Sequence, residues 1–87
     1  MKLVFVTDDI KKELVSKVKR HFPPSMKVVS IYDPIVVSIV GESNNLYVDE
    51  TIVEDDQTKC ILLFAEVKNK KTLVIDANGD VKKYMGK

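Results

Sequence analysis

Fourteen valines and seven isoleucines against two alanines constrain this 87-residue chain more than any motif it carries. Branched side chains are stiff at χ1 and sit better on a pleated surface than in a helix. The composition therefore predicts much more sheet than helix. A chain of this length has room for one core, so residues 1–87 are expected to form a single domain.

Lys2–Val6 reads as a central strand, because Leu3-Val4-Phe5-Val6 is apolar on both faces. Thr7, Asp8 and Asp9 follow as cap and dipole-compensating groups for a helix predicted over Asp8–Phe22. In that helix Ile10, Leu14, Val18 and Phe22 recur every four residues, with Val15 widening the stripe. Pro23-Pro24 ends it, since the residue before a proline avoids helical dihedrals.

Beyond Pro24 no segment shows a convincing 3.6-residue period. Lys27–Tyr32 and Ile35–Val40 read as β-type runs separated by Asp33-Pro34. Leu46–Val53 alternates loosely, and the apolar run Cys60–Val67 reads as a second central strand. Leu73–Ile75 and Val81–Met85 are expected to pair through Asn78-Gly79, the strongest hairpin signal in the chain. The expected fold class is α+β: a single N-terminal helix on a curved, mostly antiparallel sheet of five to seven strands, ordered β-α-β-β-β-β-β. One helix covers one face, so the apolar runs at Ile35–Val40 and Cys60–Ala65 call for a second copy of the chain.

Net charge is +1, but its layout is blocked. Residues 1–27 carry +4. Residues 28–58 carry −7, from Asp33, Glu42, Asp49, Glu50, Glu54, Asp55 and Asp56, with no Lys or Arg. Residues 59–87 carry +4 again. Such a chain can place an acidic edge and a basic edge on one small body, which steers partners and fixes register. The bland alternative is a solvated surface on which the blocks interleave.

Candidate sites are few. Asp8-Asp9 at a strand end suits a hard cation if carboxylates from Asp49, Glu50, Asp55 or Asp76 converge on it. Otherwise the pair only caps the helix. Asp76–Asp80 resembles a calcium loop briefly, but position 6 is Val81 and position 12 is Lys87, so a hairpin turn is expected. His21 borders the apolar stripe near the helix end, and Cys60 opens an apolar run as an expected buried hydrophobe. The isolated glycines Gly41, Gly79 and Gly86 form no phosphate loop, and no nucleophile or zinc signature occurs.

The first functional expectation is a non-enzymatic protein-interaction module that self-associates as a homo-oligomer, with no cofactor, metal, catalytic residue or small-molecule substrate. The alternative is nucleic-acid binding through Lys11, Lys12, Lys19 and Arg20 of the helix and Lys68, Lys70, Lys71, Lys82 and Lys83 at the hairpin turns. Tyr32, Tyr47 and Tyr84 would stack on bases if they shared a face with those lysines. A metal-dependent nuclease built on Asp8 and Asp9 ranks last. No run approaches the roughly 20 apolar residues of a spanning helix, and the N-terminal run is too short for a signal peptide. The expected compartment is the cytoplasm. Abundant Lys, Glu and Asp with a single Gln is usage found in proteins from hot habitats.

Overall fold

The computed structural model describes residues 2–8 and 12–84. The elements run β1 (Leu3–Thr7), α1 (Lys12–His21), β2 (Lys27–Ser30), α2 (Val36–Glu42), β3 (Asn45–Asp49), a 3-10 turn (Glu50–Ile52), α3 (Asp56–Val67), β4 (Lys71–Ile75) and β5 (Val81–Lys83). The sheet has five strands in the order β2-β1-β3-β4-β5. The first four are parallel, and β5 is antiparallel to β4.

The mixed α and β character holds, but the expected single helix and mostly antiparallel sheet do not. Ile35–Val40 and Cys60–Val67, expected as strands, are largely helical. Leu46–Val53 divides into β3 and a 3-10 turn. Strand direction follows from these changes. A segment that crosses the sheet as a helix returns its chain parallel to the previous strand, whereas a tight turn returns it antiparallel. Only the β4–β5 connection is a tight turn.

In α2, Val36 and Val40 are buried one helical turn apart while Val37 and Ser38 face outward. Burial on the sheet overrides the low helix propensity of valine. In α3, the Asp55 carboxylate caps the first turn, accepting from the N–H groups of Gln57 (2.9 Å) and Thr58 (3.4 Å). Thr58, Ile61, Leu62 and Ala65 form its buried face. The far end closes on Asn69 at φ +56°, with Asn69 N–H donating to Glu66 O and Lys70 N–H to Ala65 O. This is the double bond pattern of a Schellman cap. Cys60, expected to be buried, is exposed because it lies on the opposite side of the helix from these residues.

Helices cover both faces of the sheet. Leu14 and Val18 of α1 join Phe5, Met26, Tyr47 and Ile75 in one cluster. Val36 and Val40 of α2, with Ile61, Leu62 and Ala65 of α3, join Val4, Val6, Val29, Leu46 and Val48 in the other. The central placement of β1 is as expected: Val4, Phe5 and Val6 are fully buried. The premise that apolar strands outnumber the available helices is corrected here, because two of those supposed strands are themselves the missing cover.

The Asn78-Gly79 hairpin forms as read. Asp76 Oδ1 accepts the N–H groups of Asn78 (2.9 Å) and Asp80 (3.0 Å), which organises the turn. Gly79 sits at φ +86°, and a Cβ there would lie 3.1 Å from the Lys17 Cβ of α1. Glycine meets both the dihedral and the close approach.

Candidate functional site

In an open parallel sheet, ligand crevices lie beyond the carboxyl ends of the strands where the winding reverses. Here that point is between β1 and β3. The crossover from β1 runs through α1 to β2 on one face, and the chain then returns through α2 on the other face to β3. Thr7 and Asp8 stand at the end of β1, Ser30 at the end of β2 and Asp49 at the end of β3.

These ends are tied together. Thr7 Oγ1 donates to Asp49 Oδ2 at 2.8 Å and lies 3.5 Å from Asp8 Oδ1. Ser30 Oγ donates to the Asp8 carbonyl at 3.1 Å, and Ile31 N–H donates to the Thr7 carbonyl at 2.7 Å. Asp49 Oδ1 accepts from both the backbone N–H (2.9 Å) and the hydroxyl (2.8 Å) of Thr51. Asp49 is fully buried, and these bonds replace the water it loses. Of the carboxylates considered beside Asp8, Asp49 converges on it, and both oxygens of Asp49 are engaged in holding the strand end and the 3-10 turn. Among the described residues no group of three or more His, Cys, Asp or Glu is arranged to hold a metal ion. The described part of the crevice is a polar lock between strands. Asp9, the partner expected for Asp8, lies outside the described residues, as does the helix-capping contact expected there.

The charge blocks resolve along the strand axis. Asp8, Asp33, Asp49, Glu50, Glu54, Asp55, Asp56, Asp76 and Asp80 lie where parallel strands end and α3 begins. Lys2, Lys19, Arg20, Lys27, Lys68, Lys70 and Lys71 lie at the opposite end, where strands begin and α1 and α3 finish, with Glu42 near Lys2 and Lys27 and Glu66 near Lys70. The segregation follows from the topology. It suits the helix dipole at the start of α3, where Asp56 lies, and at the end of α1, where Lys19 and Arg20 lie, but not at the ends of α2 and α3, whose last turns carry Glu42 and Glu66 and no base.

Of the nine basic residues expected to meet nucleic acid, Lys19, Arg20, Lys68, Lys70 and Lys71 lie at this end, Lys19 and Arg20 on the α1 face of the sheet and Lys68 on the α3 face. Lys70 is partly occupied there, donating through Nζ to the Ser43 carbonyl at 2.7 Å. Lys82 sits apart among acids, 3.3 Å from Glu50 and 3.7 Å from Asp76. Glu50, the stronger influence, and Asp76 together raise its pKa above 10.5. Lys83 is exposed on β5. Lys11 and the side chains of Lys12 and His21 lie outside the described residues. The tyrosines do not share a platform. Tyr47 is buried against Phe22 with ring centroids 4.7 Å apart, Tyr84 packs on the α2–α3 side, and Tyr32 projects from the loop after β2.

A further surface was not legible in the sequence. The outward side of α3 carries Cys60, Leu63 and Val67, all exposed, at the i, i+3, i+7 spacing of one helical stripe. Val37 of α2 is also exposed, and Phe64 reaches toward Gly41 of α2 on the same side of the sheet. In sequence the run fits a strand buried on both faces, whose apolar side chains need no further cover. No helix of the described residues is long and apolar enough to cross a membrane. Comparison of the chain with protein-family models, with curated proteins and with solved structures finds no match.

Proposed function

We propose that this chain is a small protein-interaction module that self-associates through the outward side of α3. The observation that carries the reading is the exposed stripe of Cys60, Leu63 and Val67 on a helix whose other side is already buried. The stripe is a bounded apolar strip beside a flank charged with Lys59 and Glu66, and contiguous apolar surface on a small protein marks an interaction site. Surplus strand surface does not support the reading, because helices cover both faces of the sheet. Surplus helix surface does. Sedimentation velocity across a concentration series tests it: association that strengthens with concentration supports the reading, and a strict monomer at high micromolar concentration removes it.

The gathering of basic residues at the strand-start end favours a second reading, contact with a nucleic-acid backbone. It predicts retardation of oligonucleotides at low salt that weakens by roughly 0.9 log units per log unit of salt for each phosphate contact. Lys19→Glu with Arg20→Glu would lower both affinity and that slope. Unretarded single- and double-stranded oligonucleotides at low salt would end it.

A further inference from the structure

We infer that the partner of α3 is the α3 of a second copy, packed antiparallel across a two-fold axis near Leu63; the inference rests on the self-association reading above. The apolar stripe sets the contact, with Leu63 61% and Val67 69% exposed. The charges around it choose the occupant. Glu54, Asp55 and Asp56 precede the stripe, and Lys68 and Lys71 follow it. Within the helix, Lys59, which already lies 3.3 Å from Glu54 of its own chain across an exposed ion pair, is on the N-terminal side of Leu63 and Glu66 on the C-terminal side, both on one flank at 100° per residue.

Reversing the helix direction exchanges every sign in this pattern. An antiparallel copy therefore sets Lys59 beside the other copy's Glu66, and Asp56 beside its Lys68. It also opposes the two helix dipoles. A parallel copy places like charges together. A patch that meets itself across a two-fold axis must be self-complementary, and α3 has that property along its length. An unrelated partner would not require it.

The test uses the full chain. Wild-type protein is expected to sediment as a dimer, and Leu63→Lys to weaken dimerisation at least tenfold with unchanged circular dichroism. Leu63 is exposed, so this change leaves the core intact. Lys68→Glu weakens the dimer, and adding Asp56→Lys restores it. Val67→Cys, with native Cys60 retained, is expected to cross-link under copper–phenanthroline oxidation in air, because antiparallel packing sets residue 67 near the other copy's Cys60. Wild type and the Cys60→Ser, Val67→Cys double variant are expected not to cross-link. Cross-linking of that double variant would show parallel packing and overturn the inference. A dimer indifferent to Leu63→Lys, without Val67→Cys cross-links, overturns the α3 pairing but leaves self-association standing. A monomer at every concentration overturns both.

Discussion

The Thr7 hydroxyl donates to the Asp49 carboxylate at 2.8 Å, joining the last residue of β1 to the last residue of β3. The two strands are parallel, with Val6 opposite Val48, so the bond closes the sheet one register step beyond the ladder. It holds together the place where the winding of the sheet reverses.

Thr7→Val keeps the shape and removes the donor. A hydrogen bond to a charged group is worth about 1.5–3 kcal/mol, and Asp49 keeps its two bonds from Thr51 when the Thr7 donor is removed. Urea unfolding should show a loss of about 2 kcal/mol. A loss under about 0.5 kcal/mol would mean that Asp49 is satisfied without Thr7.

The β4–β5 turn predicts a pH dependence. The Asp80 N–H, chiefly, with the Asn78 N–H and the Lys82 ammonium, stabilises the Asp76 carboxylate and lowers its pKa below the ordinary 3.8. The contribution is complete above the unfolded value and is lost as pH falls through it toward the lowered folded value. Asp76→Ala should therefore destabilise the protein at neutral pH, and the gap from wild type should narrow below about pH 4. Lys82 has the opposite sign: its contribution is complete below 10.5 and is lost as pH rises past it. Stability curves of wild type and Asp76→Ala across pH check this, and a gap constant through the acid range would refute it.

Asn69 closes α3 in the left-handed region. Asn69→Gly should leave thermal stability unchanged or slightly higher, whereas Asn69→Ala should cost about 1 kcal/mol because a Cβ without a compensating polar group is strained there. Equal melting temperatures for the two variants would show that the cap is not required.

Ser38 tests the identity of the second element. It faces solvent within Val36–Glu42. In a helix Ser38→Ala adds a few tenths of a kcal/mol of stability, while in a strand alanine is disfavoured. Chemical denaturation separates the two by sign.

The first β-α unit, the stop at Pro23-Pro24 and the Asn78-Gly79 hairpin were legible because local chemistry alone specifies them. A four-residue apolar period, a ring that forbids helical dihedrals and a glycine at φ +86° need no distant neighbour. The charge blocks were legible as well, since counting needs no fold. The identities of α2 and α3 were not. In α2 the branched residues Val36, Val37, Ile39 and Val40 favour a strand locally, and contact with the sheet reverses that preference. In α3 the outward Cys60, Leu63 and Val67 are as apolar as the inward Ile61, Leu62 and Ala65, so burial leaves no period to read.

The sequence by itself determined the central apolar strand, the amphipathic first helix, the closing hairpin and the alternation of basic and acidic blocks. Tertiary structure decided strand direction, the cover on the second face and the convergence of Thr7 with Asp49. Each depends on which distant surface a segment meets, and short-range periodicity carries no record of a neighbour 42 positions away.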